Sequence, residues 1–126
     1  MALIILDEDI PPEEADYVIP RIDIPVEQSE GYTAIGFGHT GDGDGAGIRR
    51  RLEERYVRCV GSDCTTGAFS EVTDTEWGGT GGTCQGDSGG PAIDIDGQVI
   101  GVVSRGRQPC LDTVYSSVPA WGEWIR

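Results

Sequence analysis

Glycine residues interrupt this chain at short intervals and leave little room for helices. The 126 residues include 20 glycines, about twice the usual share, and the glycines follow no collagen-like period. Segments with a helical pattern of apolar residues are scarce. A chain of this length and composition forms one small domain. We therefore predict a single, mostly β domain.

The first 25 residues combine an apolar run with an acidic segment. Residues 2–6 are uniformly apolar and predict a fully buried strand. Residues 7–25 carry prolines at positions 11, 12, 20 and 25, which disfavour long helices and central strands, so an extended linker is expected. Because Met1 directly precedes the predicted strand, we expect the chain to start within a domain.

Five further segments have the composition of strands. They are residues 31–37, 52–60, 91–95, 98–104 and 113–118. Between two of them, Asp96-Gly97 predicts a tight hairpin with a type I′ turn, in which both central residues have positive φ. The last eight residues begin at Pro119 and predict one or two helical turns, with two tryptophans and Ile125 on one face.

The charge of the chain excludes two classes of partner. It has 22 acidic and 9 basic residues and a formal net charge of -13, which repels phosphate backbones and anionic lipids. The one basic run, residues 49–51, is closely followed by Glu53 and Glu54. No apolar run approaches the roughly 20 residues needed to span a bilayer. We expect neither nucleic acid nor a membrane as a partner.

Residues 83–91, with the sequence TCQGDSGGP, carry the strongest chemical signal. Ser88 lies among glycines whose backbone N–H groups can turn toward one point and form an oxyanion hole. A Gly-x-Ser-x-Gly pattern also occurs in the nucleophile elbow of α/β-hydrolases, but that elbow needs a strand before it and a helix after it. Here a loop precedes the serine, and Pro91 and a hairpin follow. A flexible loop without a role would leave the Cys, Asp and Pro unexplained.

This stretch resembles the nucleophile signature of the trypsin/chymotrypsin family of serine proteases. Residues 2–6 resemble the strand that follows the aspartate of the family's catalytic triad, and residues 17–25 resemble the crossover between its two barrels. Residues 36–40, 101–106, 114–115 and 124–125 also match family motifs. The resemblance covers essentially the whole chain, but only about the C-terminal half of the family's catalytic domain.

The resemblance implies both fold and domain organisation. The expected fold is all-β, a six-stranded antiparallel Greek-key barrel with a short C-terminal helix, which is the second barrel of a chymotrypsin-like fold. Residues 1–25 would form a strand and the inter-barrel connector. Residues 26–126 would form the C-terminal barrel of a serine protease domain.

The resemblance also assigns roles in catalysis. Ser88 would be the nucleophile, and the N–H groups of Gly86 and Ser88 would form the oxyanion hole. Asp87 would shape the loop by pairing inside the protein. In the family its partner is a new N-terminal amine, so here we expect Asp87 to face water or find another donor, with the N–H of Gly86 misdirected.

The base that activates the serine is expected elsewhere. The family places the histidine and aspartate of its triad in the N-terminal half, and a serine without them loses orders of magnitude in rate. The one histidine here, His39, is expected to be a solvated loop residue away from Ser88. We therefore expect the 126-residue chain alone to be inactive.

Four residues are expected to bind substrate by the same resemblance: Gly82, Ser104, Gly106 and Thr113. Gly82 is the pocket floor and offers no acid, so small or medium apolar side chains are the expected preference. A register shifted by one residue would instead place Asp112 in the pocket and favour basic side chains. The backbone near Ser104 would pair with an extended substrate, although Arg105 replaces the usual tryptophan.

The four cysteines allow three pairings. The resemblance implies a bridge between Cys84 and Cys110 beside the pocket, which leaves Cys59 and Cys64 to close a small local loop. Free thiols or a zinc site are the alternatives, although the spacing is a weak zinc pattern. Two bridges predict an oxidising compartment and a secreted protein.

One loop has some of the spacing of a calcium-binding EF-hand. Asp42, Asp44 and Glu53 stand at the first, third and twelfth positions of the pattern, with Gly47 at the sixth. Ala46 removes a ligand, and three arginines oppose a cation. We therefore predict an exposed loop, no metal site and no cofactor.

These observations favour a serine endopeptidase that hydrolyses peptide bonds through an acyl-enzyme on Ser88. Its partners would be a peptide or protein substrate and a missing N-terminal barrel, supplied in cis or by a separate chain. The alternative is a non-catalytic serine-protease homologue that acts as a protein-binding module.

Overall fold

Six antiparallel strands close into one barrel in the computed structural model, which describes residues 1–41, 43–65 and 67–126. The strands are β1 (Gly31–Gly36), β2 (Arg50–Val60), β3 (Glu76–Thr80), β4 (Pro91–Ile93), β5 (Val99–Arg107) and β6 (Asp112–Ser117). Short 3-10 turns lie at Gly61–Asp63, Gly67–Phe69 and Pro119–Trp121, and the helix α1 (Gly122–Ile125) follows the last of them. The predicted all-β fold with a short C-terminal helix is confirmed.

The order of the strands around the barrel is β1-β2-β3-β6-β5-β4. The first three strands are therefore consecutive neighbours, and β4 returns to pair with β1. A fourth strand that lies beside the first is the Greek-key arrangement. The predicted topology is confirmed. It places the segment between β3 and β4, which contains Ser88, at one end of the barrel.

The core of the barrel is built around three aromatic residues. Trp77 and Tyr115 are fully buried and stack with their ring centroids 4.1 Å apart. Tyr32 meets both rings edge-on, at centroid distances of 5.1 and 5.3 Å. Such pairs add packing energy beyond the area they bury.

The same packing explains strand β3, which the sequence did not predict. Gly78 and Gly79 disfavour a strand by intrinsic propensity. A Cβ at Gly79 would lie 2.2 Å from the hydroxyl oxygen of Tyr32, and one at Gly78 would lie 2.5 Å from the ring of Phe69. The aromatic rings therefore need the space that glycine leaves, and tertiary packing overrides the local preference.

The hairpin between β4 and β5 is present, but its predicted type I′ turn is wrong. Gly97 has a φ of 81°, whereas Asp96 is not among the residues with positive φ. The N–H of Gly97 donates to the carbonyl of Asp94 at 3.1 Å. The Asp94 carboxylate also accepts from the N–H groups of Asp96 and Gln98, at 3.0 and 2.8 Å. This side chain stabilises a longer turn that needs only one left-handed residue.

The predicted strand at residues 2–6 is also wrong. No strand is present there, and Ile4 and Ile5 are 87% and 91% exposed. A strand needs a partner for its backbone and a cover for its apolar side chains, and none of the residues in the described ranges supplies either. The connector then joins the barrel at Pro20, which forms a bridge with Val99. The domain boundary between residues 25 and 26 remains a prediction.

The two disulfide bonds join the pair that the family resemblance implied and the pair that this assignment left over. Cys59 is bonded to Cys64 and Cys84 to Cys110. Cys64 packs in a small second cluster with Phe69 and Val114, outside the main core. Cys84 lies four residues before Ser88, so its bond ties the nucleophile loop to the segment between β5 and β6.

We expect the bond between Cys84 and Cys110 to contribute more stability than the bond between Cys59 and Cys64. The sequence separations are 26 and 5 residues, and a longer closed loop removes more entropy from the unfolded chain. Replacing the long-loop pair with alanine should cost about 3.5 kcal/mol, against about 2 kcal/mol for the short-loop pair. Urea unfolding of the two double variants measures this difference. A larger loss from the short loop would contradict the expectation.

Candidate active site

Ser88 lies exposed on the loop between β3 and β4, and backbone hydrogen bonds hold that loop. The N–H of Asp87 donates to the carbonyl of Cys84 at 3.0 Å, and the N–H of Gly90 donates to the carbonyl of Asp87 at 2.9 Å. The N–H of Gly89 reaches the carbonyl of Val103 on β5, also at 2.9 Å. The serine is therefore presented by a fixed turn.

The carboxylate of Asp87 is bound by two backbone donors. One oxygen accepts from the N–H of Gly38 at 2.7 Å, and the other accepts from the N–H of Cys84 at 2.8 Å. A Cβ at Gly36 would lie 2.0 Å from the same carboxylate, and one at Gly38 would lie 2.7 Å from it. These two glycines let the side chain approach the backbone after β1. The carboxylate has thus found donors other than a terminal amine.

The peptide bond between Gln85 and Gly86 is oriented by His39. The backbone N–H of His39 donates to the carbonyl of Gln85 at 2.9 Å. In a trans peptide the N–H points opposite to the carbonyl, so the N–H of Gly86 points away from His39. Gly86 has a φ of 97°, which glycine adopts without strain. This hydrogen bond fixes the orientation of the peptide and so disfavours the misdirected N–H of Gly86 that was expected from the sequence.

The imidazole of His39 is half-buried, and the expectation of a solvated loop histidine is wrong. Its Nδ1 atom is buried and has no hydrogen-bond partner among the residues that the structure describes. The ring lines a cavity of about 240 Å³ together with Asp87, and a second cavity of about 160 Å³ beside Cys84. Neither cavity includes Ser88. His39 therefore packs behind the nucleophile loop.

A cavity of about 450 Å³ opens in front of Ser88. Ser104 and Gly106, two of the four residues expected to bind substrate, line it with the nucleophile. The disulfide bond between Cys84 and Cys110 closes one side. The sequence did not single out Thr83, Arg107 or Gln108, which also line this cavity.

The other two residues expected to bind substrate lie outside this cavity. Gly82 lines the cavity that contains His39, where a Cβ would lie 2.2 Å from Leu52. Thr113 is fully buried, and its hydroxyl oxygen lies 2.6 Å from that of Thr83. Thr113 thus supports the cavity wall from behind through Thr83.

The shifted register that would bring Asp112 into this cavity is not observed. Asp112 lines a different cavity of about 320 Å³ and forms an ion pair with Arg58 at 3.4 Å. In the strand ladder it lies opposite Thr80 and Arg107. Its carboxylate is therefore not available to a basic side chain held beside Ser88.

Comparison with known proteins decides the family. A family model described as Trypsin matches residues 1–125. The chain belongs to the trypsin family. The renal glandular kallikrein of Mastomys natalensis is 31% identical over 128 residues, which cover 91% of this chain and 48% of that protein. A trypsin of Phaedon cochleariae is 50% identical over 52 residues, which cover 37% of this chain and 20% of that protein.

A solved structure shows the same fold. The structure described as neuropsin, a serine protease expressed in the limbic system of mouse brain, superposes with a TM-score of 0.71 at 22% identity. The match covers 85% of this chain and 51% of that one. Both the Mastomys natalensis kallikrein and neuropsin match most of this chain, but the chain spans only about half of their length. The barrel is a chymotrypsin-like serine protease barrel.

Arg105, which stands where the trypsin family has tryptophan, is held by acidic partners. Its guanidinium donates to both carboxylate oxygens of Glu76, one of them at 3.1 Å, and to the carbonyl of Glu71 at 3.1 Å. The hydrogen bond from Arg105 holds the pKa of Glu76 below its usual value, although burial opposes the shift. An ion pair with Glu76 and a hydrogen bond to Glu71 thus hold the Arg105 side chain at the position where the family has an aromatic ring.

The remaining sequence predictions concern metals and membranes. Asp42, the first residue of the EF-hand-like pattern, lies outside the described residues. Within the described ranges, no group of three or more His, Cys, Asp or Glu side chains could hold a metal ion. None of the helices in those ranges has the length and apolarity that crossing a membrane requires.

Proposed function

We propose that this chain is the nucleophile-bearing barrel of a serine endopeptidase. Ser88 attacks the carbonyl carbon of a peptide bond while a base takes its hydroxyl proton. The C–N bond breaks, the amine leaves with that proton, and water then hydrolyses the acyl-enzyme to release the acid and restore Ser88. The N–H groups of Gly86 and Ser88 stabilise the negative charge that develops on the carbonyl oxygen. The observation that carries the proposal is the clamped loop, in which Asp87 is bound from two sides and His39 holds the carbonyl of Gln85.

The oxyanion donors are available for this role. Among the described residues, neither the N–H of Gly86 nor that of Ser88 donates to a protein acceptor. Donors that are positioned in advance cost no reorganisation when charge develops. This arrangement supports the assignment of Gly86 and Ser88 to an oxyanion hole.

Ser88 needs a base to accept its hydroxyl proton, and the described part of this chain places no base near Ser88. A serine hydroxyl is a weak nucleophile until a neighbouring base takes its proton. We propose that a first barrel, in cis or on a separate chain, supplies a histidine and an aspartate. The exposed side chains of Ile4 and Ile5 favour an additional apolar surface at the connector.

The substrate would be an extended peptide bound along β5. Strand β4 pairs with β5 only as far as Val102, and Ser104–Arg107 then continue along the cavity. A peptide added to this edge gains backbone hydrogen bonds, and the cavity gives selectivity for a side chain.

Two disulfide bonds favour an oxidising compartment, and we propose that the protein is secreted.

A serine-directed fluorophosphonate tests this proposal. We expect the 126-residue chain alone to react only slowly. The same chain joined at Met1 to the first barrel of the Mastomys natalensis kallikrein, called the completed chain below, should react rapidly. Peptide mapping should place the label on Ser88. Intact disulfide bonds and a cooperative unfolding transition show that the fusion has folded.

The two candidate functions predict different results. A folded fusion that leaves Ser88 unlabelled would contradict the endopeptidase. It would favour the non-catalytic binding module, which keeps the cavity and the strand edge but needs no base. Rapid labelling of the 126-residue chain alone would instead show that the base lies within it.

A further inference from the structure

The strand register divides the residues near Ser88 between two faces of the barrel wall. The cavity of about 320 Å³ lies on the outer face and is lined by residues that pair across the ladder, Arg105 with Val114 and Arg107 with Asp112. Side chains alternate along a strand, so Gly106 and its partner Thr113 face the inside of the barrel, as the core residue Tyr115 does. The charged side chains of β5 are therefore turned away from the inner end of the cavity in front of Ser88.

The cavity of about 450 Å³ in front of Ser88 is otherwise lined by uncharged groups. Apart from the two arginines, the polar side chains that line it with Ser88 are Thr83, Gln85, Ser104 and Gln108. No carboxylate lines it among the described residues. A charged side chain held at its inner end would therefore lose water without gaining an opposite charge, which is costly.

The hydroxyl groups of Thr83 and Thr113 link this cavity to the interior of the barrel. Their oxygen atoms are 2.6 Å apart, so one hydroxyl donates to the other. Thr113 is fully buried, and its side chain makes no other hydrogen bond among the described residues. The buried hydroxyl of Tyr115, two residues along β6, has no hydrogen-bond partner there and accepts from neither threonine.

The number of hydrogens in this pair determines which threonine donates. If Thr83 donated, the hydroxyl hydrogen of Thr113 would be buried without an acceptor, which is unfavourable. The favoured arrangement therefore has Thr113 donating to Thr83. Thr83 is half-buried and lines the cavity, and it then keeps its own hydroxyl hydrogen for a ligand.

We propose that the cavity in front of Ser88 binds an uncharged carboxamide side chain, asparagine or glutamine, of a peptide, and that Thr83 is the specificity-determining residue. The amide oxygen accepts from the Thr83 hydroxyl, and the amide NH₂ group has uncharged acceptors among the other polar groups of the lining. An apolar side chain would leave the Thr83 hydroxyl without a partner. A carboxylate would find no cation facing the inner end.

This inference rests on the proposed function, because it names the substrate class of the same site. It replaces the apolar preference that the sequence suggested. That preference depended on Gly82 as the pocket floor, and Gly82 lines a different cavity.

Peptide binding to the oxidised 126-residue chain tests the proposal without requiring catalysis. The probes are acetyl-Ala-Ala-Pro-X-amides, followed by ¹H–¹⁵N correlation spectra, in which X is Asn, Asp or Leu in one set and Gln, Glu or Met in the other. In at least one set we expect the amide peptide to bind about three- to tenfold more tightly than its apolar and acidic counterparts, the range of a neutral hydrogen bond. Its advantage over the apolar counterpart should persist in about 0.5 M salt, because neither side chain is charged.

Variants assign the effect to the Thr83 hydroxyl. Thr83→Val removes the hydroxyl at nearly constant volume and should abolish the preference for the amide, and Thr83→Ala does the same if the valine variant does not fold. Thr83→Ser should retain the preference, and so should Thr113→Val, because Thr83 keeps its hydrogen in both the native pair and this variant. Thr65→Val changes an exposed threonine outside the cavity and is the matched control. A cooperative unfolding transition shows that each variant has folded.

The outcomes separate this proposal from the proposed function. Equal affinities within both sets, no binding of any peptide, tighter binding of an acidic or apolar peptide, or an amide preference that survives in folded Thr83→Val would each overturn the carboxamide specificity. None of these results changes whether Ser88 is labelled in the completed chain. A preference for the amide that depends on Thr83 would support the proposal even if Ser88 of that completed chain proved unreactive.

Discussion

The completed chain should lose about a million-fold in kcat when Ser88 is replaced by alanine. The replacement removes the atom that bonds to the substrate carbonyl, and serine proteases lose activity on this scale when the nucleophile is deleted. The loop should persist, because its hydrogen bonds use backbone groups and the Asp87 carboxylate. Binding of peptides should therefore change little while turnover is lost. Steady-state hydrolysis of an ester and a peptide substrate measures both quantities.

A matched serine replacement provides the control. Ser62 is exposed in the short turn Gly61–Asp63 and lines none of the cavities near Ser88. Ser62→Ala should keep the kcat of the parent. A Ser88→Ala variant that retained more than about one per cent of the activity would contradict the acyl-enzyme. It would point to a substrate-bound water as the nucleophile.

The sequence predicted the barrel because a short motif carried most of the information. Residues 83–91 combine turn glycines with a serine and a cysteine, and few folds need that combination. The strands with alternating or apolar patterns were predicted to within about three residues at their ends. Strand β3 was missed because its two glycines make room for Tyr32 and Phe69, which come from distant parts of the chain. No local pattern encodes that requirement.

The site was less predictable, because it depends on which faces the strands present. Residues spaced at alternate positions, Arg105 and Arg107, could have been recognised as one side of a strand. The burial of Thr113 and the separate cavity at Gly82 depend on how β6 and the loop after β3 pack. His39 was misjudged because a glycine-rich turn suggests exposure, whereas its backbone binds the carbonyl of Gln85.

Replacing Arg21 with methionine should destabilise the barrel by about 3 kcal/mol or more. Arg21 is 10% exposed and joins the end of the connector to Glu30 and to Asp94, whose side chain is only 2% exposed. Its guanidinium also donates to the carbonyls of Ile24 and Pro25, each at 3.2 Å. Methionine preserves much of the volume but leaves the two carboxylates without a cation. Removing one partner of a buried pair is costly because the other charge stays desolvated.

Urea unfolding of a surface variant gives the comparison. Arg51 pairs with Glu53 at 3.1 Å, but the two side chains are 71% and 58% exposed. Solvent screens such a pair, so Arg51→Met should change the free energy of unfolding by less than about 1 kcal/mol. Arg21, Glu30 and Asp94 together form the Arg21 cluster. Similar losses for both variants would show that burial of this cluster contributes no extra stability. An unchanged Arg21→Met would show that the connector is not anchored there.

The Arg21 cluster also determines how the barrel responds to acid. Burial raises the pKa of Glu30. The hydrogen bonds from Arg21 and from the Glu27 N–H, together with the charge of Arg21, lower this pKa by more than burial raises it, so it lies below the usual 4.5. A carboxyl group with a lowered folded-state pKa stabilises the fold fully above its unfolded value and loses that contribution as the pH falls through the folded value. Native protein should therefore lose stability below about pH 4.5. In Arg21→Met the burial of Glu30 remains while the neighbouring cation is lost, so Glu30 should favour its neutral form. The stability gap between the two proteins should then narrow in acid, and unfolding midpoints from pH 7 to pH 3 measure it. A gap that stays constant across this range would mean that the pairing of Glu30 with Arg21 adds no stability that depends on its charge.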